Sequence, residues 1–281
     1  MKNRAFTLVE LSIVLVIIAL LIGGISIGTR LISGSRQVAA QNMSDRSPIF
    51  EIFNSELEAS VELWLDANDA NTVKKDANGL VTEWRDKSKN ERHALQATET
   101  NRPSAVSREF NGLTVIDFDG TDNYLSTQDT VLNPGSSDFS VFIVANFDSS
   151  GNSENLLSQQ DGTGTGRAYL RDSGSNVIES GVGGVSTTAQ AIVTSKYQIY
   201  SLTHDNSANE ILIYTNNSSE SASSIAAEQA TGVLNIGAAK SATNFLDGTI
   251  GEIIIFDKVL NSQERKEIYN YLTTKWNLEL T

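Results

Sequence analysis

Few side chains in this sequence stand in arrangements that chemistry needs. The densest cluster is the string DFDGTDN, where Asp117, Asp119, Asp122 and Asn123 bring hard oxygen ligands suited to Ca2+ within a few positions. It lacks the complete loop of an EF-hand, so it is either a calcium site or a polar turn joining two strands; Asp66, Asn68 and Asp69 form a weaker version. Glycan hydrolysis would need two carboxylates facing each other across a cleft. Asp117 and Asp119 share a face by spacing but run into Gly120, and Glu252 and Asp257 point to opposite faces of a straight strand. His93 and His204 stand in no nucleophile or metal motif, and DGTGTG at 161–166 lacks the strand-to-helix setting of a phosphate loop. These patterns predict a protein that is not an enzyme. One further acid, Glu10, lies inside an apolar run from Phe6 to Ile27, where an ionised carboxylate is costly and needs a partner.

The elements that must position these residues divide into an anchor and a body. The chain has 281 residues, no cysteine and a net charge of −13. Residues 1–44 hold Lys2, Arg4, Arg30 and Arg36 against Glu10 alone, which leaves 17 basic and 33 acidic residues beyond them. So acidic a body repels phosphate, and no nucleic-acid partner is expected. The apolar run rises about 1.5 Å per residue, enough to cross a hydrocarbon core of about 30 Å. A helix is expected over 6–42, membrane-spanning over about 6–27, followed by a connector over 43–59. Gly23, Gly24 and Gly28 in its second half suit close helix packing or local unwinding. From residue 60 to 281 short apolar or alternating runs such as VELWLDA, LTVIDFD, FSVFIVANF and GTIGEIIIFD are separated by Gly, Asn, Asp and Ser. That pattern predicts a mostly β, two-sheet antiparallel jelly-roll sandwich, with Trp64 and Trp84 in its core. A short C-terminal helix over NSQERKEIYNYLTTKW follows, with Asn261 and Glu264 spaced as a capping box.

The string AFTLVEL after a short basic leader resembles the class III signal of type IV pilins and type II secretion pseudopilins. The resemblance implies cleavage of a leader, residues 1–5, by a prepilin peptidase between Ala5 and Phe6, then methylation of the new Phe6 amine. It also implies that Glu10 pairs with the terminal amine of a neighbouring subunit during assembly. Physically this removes two unpaired charges from an apolar helix bundle. The family usually has Gly before the cut where this chain has Ala5. Lys2 and Arg4 fit a cytoplasmic leader. The body would then be periplasmic while the subunit sits in the inner membrane, and would lie on a pilus or pseudopilus, at the cell surface, after assembly.

The stretches VELWLDANDA, VTEWRDKSKNERHALQA, VIDFDGTDNYL, FSVFIVANF and DGTIGEIIIFDKVLNSQERKEIYNYLTTKW are together similar to laminin-G-like, concanavalin A-like domains. Members of that family commonly bind glycans or proteins, many with Ca2+ at loop rims. The two resemblances together predict a pilin-like subunit displaying a glycan- or surface-adhesion domain. Its partners would be other pilin subunits, and a body of about 220 residues favours a minor position in the filament. A major pilin or secretion pseudopilin with an inert body, and an anchored glycan hydrolase, are the alternatives.

Overall fold

The computed structural model describes residues 8–45, 56–160, 167–183, 185–216, 220–224, 232–240 and 242–279. Helix α1 runs Leu8–Asp45, with side chains described for 12–19 and 34–45. It ends a turn later than its sequence indicates. Two further α-helices among the described residues are α2, Glu56–Ala59, and α3, Ser262–Trp276, and a 3-10 turn spans Glu99–Asn101. Asn261 caps α3 by accepting from the backbone of Gln263 and Glu264, while the Glu264 side chain returns to the Asn261 backbone.

Between α2 and α3 the strands are β1 (Val61–Asp66), β2 (Val73–Lys75), β3 (Val81–Trp84), β4 (Ala94–Leu95), β5 (Ser104–Phe110) and β6 (Leu113–Asp119). They continue with β7 (Leu125–Thr127), β8 (Phe139–Phe147), β9 (Asn155–Gln160), β10 (Arg167–Asp172), β11 (Val177–Val182) and β12 (Val185–Ala191). The last are β13 (Gln198–Asp205), β14 (Glu210–Thr215), β15 (Glu220–Ser224), β16 (Leu234–Ile236) and β17 (Asp247–Phe256). One sheet has the order β15-β14-β13-β8-β17-β6-β5 with β1 also on β17, and the other β12-β11-β10-β9-β16-β7-β4-β3-β2. All the ladders are antiparallel, giving a jelly-roll sandwich.

The inner faces meet in a core that includes Trp84, Ile116, Phe118, Val141, Ile143, Leu157, Leu170, Ile213 and Ile253. Alternation then turns Val115, Phe142, Val144, Ile199, Ile254 and Phe256 to the outer face of the first sheet, where Ile268, Tyr269, Leu272 and Trp276 of α3 cover them. His204 is fully buried against Phe139, its Nε2 2.9 Å from the Pro134 carbonyl.

A bulge in β17 breaks the alternation. The register with β8 slips between Ile250 and Glu252, so Ile250 and Ile253 both face the core and Glu252 faces outward. Gly251 is required there, because a Cβ would lie 2.6 Å from the Trp276 ring. The slip corrects the straight-strand reading of Glu252, which is fully buried between β17 and α3. Its carboxylate accepts from Trp64 Nε1 (2.7 Å), Tyr271 Oη (2.7 Å), Lys275 Nζ (2.8 Å) and Trp276 Nε1 (2.7 Å). Lys275 also reaches Asp66 at 2.8 Å, and Lys87 bridges Asp66 (3.3 Å) and Asp69 (3.1 Å). The Ser44 hydroxyl of α1 donates to Asp66 at 2.9 Å, and Ala40 one turn earlier packs against the α3 cluster. The end of the N-terminal helix is thereby part of the body. Asp66 and Asp69, offered by the sequence as weak calcium ligands, face lysines and also accept from the backbone of Asn68 and Asn71.

Burial alone would raise the Asp66 carboxyl, but the Lys275 and Lys87 ammoniums, with hydrogen bonds from Lys275 and Ser44, outweigh it and lower the group from 3.8 to about 2. A folded value below the unfolded one stabilises above the unfolded value, and that contribution is lost as pH falls from about 4 through about 2. Unfolding free energies of wild type and Asp66→Asn should therefore differ at neutral pH and draw together on acidification through that window. A gap independent of pH would contradict this assignment.

Candidate ligand-binding cleft

Beyond the edge of α3 the outer face of the first sheet becomes polar. Ser104 pairs with Asp117, Asp117 with Thr249, and Thr249 with Asn146, while Gln198 opposite Ala145 brings Tyr197 beside Asn146. Strands spaced about 4.8 Å apart therefore line up Asp117, Thr249, Asn146 and Tyr197 in a row of roughly 15 Å. Phe118 and Phe147 on the same strands point into the core, which fixes the opposite direction for Asp117 and Asn146. Glu109, Val106, Asp148 and Ser195 complete a cleft of about 330 Å3.

Tyr197 stacks on Phe110 with ring centroids 3.8 Å apart, and its hydroxyl meets Thr249 Oγ1 at 2.5 Å. Burial, and then the nearby Glu109, Asp148 and Asp117 charges, push the phenol up to about 12 despite the Thr249 bond. The half-buried Asp117 carboxyl is raised chiefly by burial, then by Asp148, Glu109 and Asp119; only the Ser104 hydroxyl at 3.2 Å opposes this. Asn146 donates from Nδ2 to Asp148 Oδ1 at 2.6 Å.

Of the calcium candidates, the structure brings only Asp117 into this cleft. Asp119 Oδ1 turns to its own loop and accepts from the backbone of Thr121 (2.9 Å) and Asp122 (3.4 Å), while Asp122 accepts from the Asn123 amide at 3.3 Å. Among the described residues no three His, Cys, Asp or Glu side chains converge as metal ligands. Ala5, Phe6 and the 161–166 loop lie outside the described residues. Glu10 is on α1 with its side chain outside them. The sequence missed Glu109, Asn146, Asp148 and Tyr197 because they come from three separate stretches of chain, in β5, at the end of β8 and just before β13. Asn146 carried a signal, as a polar residue directly after the wholly apolar VFIVA run.

A family model described as the concanavalin A-like lectin/glucanases superfamily matches residues 119–264. The model of the prokaryotic N-terminal methylation motif matches residues 1–26. No curated protein matches the chain by sequence. Among solved structures, the binding domain of Paraclostridial Mosquitocidal Protein 1 is similar at TM-score 0.56 and 12% identity, over 76% of this chain and 53% of that one. Trypanosoma rangeli sialidase in complex with sialic acid follows at 0.52 and 16%, over 77% of this chain and 33% of that one. A GH54 α-L-arabinofuranosidase gives 0.55 and 12%, over 70% and 51%. This chain thus spans a third to about half the length of these structures.

These likenesses show the fold, and they overturn the expectation that the chain is not an enzyme. Sandwiches of this build occur in glycoside hydrolases, and the carboxylates of the cleft converge from separate strands, an arrangement that a search for pairs on one strand does not test. The methylation motif is the type IV pilin signal, which implies prepilin peptidase processing, anchoring in the inner membrane and assembly with other pilin subunits. Among the described residues no helix is long and apolar enough to cross a membrane. On α1 the side chains Ile13 to Ile18 are exposed by 45–58%. The chain belongs to the concanavalin A-like lectin/glucanases superfamily and carries the type IV pilin methylation motif at its N-terminus.

Proposed function

We propose that the chain is a type IV pilin-like subunit, at a minor position in its filament, whose sandwich binds glycans through the cleft beside α3. The observation that carries this reading is the join of a methylation motif at 1–26 to a lectin/glucanase domain at 119–264, with α1 fastened to that domain through Ser44. The chain divides into the leader 1–5, a helix from Phe6, and a body displayed from the membrane and then from the filament. In the cleft, carboxylates and amide oxygens accept from sugar hydroxyls, and the Tyr197 ring, backed by Phe110, offers an apolar wall.

A specific observation favours a second reading, hydrolysis of the bound glycan. Asp117 is held toward its protonated form beside Asp148 and Glu109, the environment of a general acid near a carboxylate partner. A glycan array probed with the full-length chain in detergent micelles, with and without Ca2+, tests both. Binding that is reduced about tenfold or more by Tyr197→Ala supports the lectin reading. Release of reducing sugar that Asp117→Asn abolishes supports hydrolysis, and no glycan bound under any condition would refute both in favour of an inert filament subunit.

A further inference from the structure

The chemistry of the cleft is one-sided. Among the described residues its lining holds three acids, Glu109, Asp117 and Asp148, and no lysine or arginine. Asn146 is 6% exposed, its Nδ2 is committed to Asp148, and its Oδ1 has no hydrogen-bond partner. Turning the amide over would set its oxygen against the Asp148 carboxylate, so the network fixes the unpaired atom as an acceptor. The phenol of Tyr197 and the hydroxyl of Thr249 bond each other, which leaves one of the two O–H groups to donate elsewhere. A ligand therefore gains most by supplying positive charge for the acids and a hydrogen-bond donor for Asn146 Oδ1.

Three classes of ligand carry positive charge. A bare metal ion needs converging ligands, and no three acidic or histidine side chains converge so among the described residues. A basic peptide brings a carbonyl with every amide, and the described lining offers it only the hydroxyls of Ser195 and of the Tyr197–Thr249 pair against three acids. An amino sugar brings an ammonium, several hydroxyl donors and an apolar ring face for the Tyr197–Phe110 wall. A sialylated or uronic glycan would add like charge to the three acids.

We propose that the cleft selects a saccharide bearing a free amine, with the ammonium among Glu109, Asp117 and Asp148 and a hydroxyl donating to Asn146 Oδ1. This rests on the reading that the cleft binds glycan. The charge match is what separates an amino sugar from its N-acetylated form, which keeps the ring and hydroxyls and loses the cation.

The test is calorimetric titration of the full-length chain in detergent micelles with glucosamine tetramer, N-acetylglucosamine tetramer, a sialylated oligosaccharide and oligolysine. The glucosamine tetramer is expected to bind about tenfold more tightly than its N-acetylated form. That advantage should shrink with added salt, because the acids are partly exposed. The double variant Glu109→Gln, Asp148→Asn should abolish it, and since both side chains are exposed its melting curve should match wild type. Equal affinity for the two tetramers, or preference for the sialylated one, would overturn the amine inference while leaving glycan binding intact. Oligolysine binding more tightly than the amino sugar would overturn it in favour of a basic peptide. No saccharide binding at all would remove the underlying reading as well.

Discussion

Lys275→Met should destabilise the fold by about 3–5 kcal/mol, read as a lower urea midpoint at unchanged slope, because it strands two fully buried carboxylates. Lys275 is the only ammonium within reach of both Asp66 and Glu252 among the described residues, at 2.8 Å from each. Methionine fills nearly the same volume, so the loss reports charge and not packing. Glu252 would keep Trp64, Trp276 and Tyr271 as donors and Asp66 would keep Lys87 and Ser44. The effect should then be partly reversed by adding Glu252→Gln, which removes one stranded charge and leaves an amide for the same donors. A double variant no more stable than Lys275→Met alone would show that the two sites are uncoupled. Breaking this cluster should also loosen α1, since Asp66 is where Ser44 binds.

The second large effect concerns assembly. Mass spectrometry of the mature chain should find Phe6 as its N-terminus, and Glu10→Ala should leave that cleavage and membrane insertion intact. Incorporation into filaments should nevertheless fall roughly a hundredfold, since an unpaired terminal ammonium in a bundle of apolar helices costs several kcal/mol. Normal incorporation would refute the pairing role, and an intact Met1 or a cut beyond Gly34 would refute the processing itself.

Most of the sandwich was legible because its central strands bury both faces. FSVFIVANF and GTIGEIIIFD form β8 and β17 at the middle of one sheet, and nearly every residue in them is buried. The strands that sequence did not reveal, β2, β5, β12 and β15, are the outermost strands of the two sheets. Edge strands are kept polar to discourage pairing with other chains, so SAVSREF, VSTTAQA and ESASS carry no apolar alternation. Local signals at α3 were faithful, since its cap needs only Asn261 and Glu264.

The cleft was largely illegible for a different reason. Asp117, Thr249, Asn146 and Tyr197 become neighbours only through strand order and register, which no window along the chain contains. The buried cluster left traces that can be read afterwards. Glu252 is an acid inside GEIIIF directly after a glycine, a combination that fits a bulge turning one polar side chain out of the core. Lys275 interrupts the apolar stripe of α3 next to Trp276, on the side that meets that acid.

The Ser44–Asp66 contact also has a mechanical consequence. A filament subunit is pulled by its N-terminal helix, and the covalent route from α1 to the sandwich runs through residues 46–55. Ser44 offers a second, non-covalent route: traction on α1 passes to Asp66 on β1 and, through Lys275, to Glu252 on β17, a strand flanked by β8, β6 and β1. Tension on α1 thus enters at β17, where the ladders to β8, β6 and β1 share it.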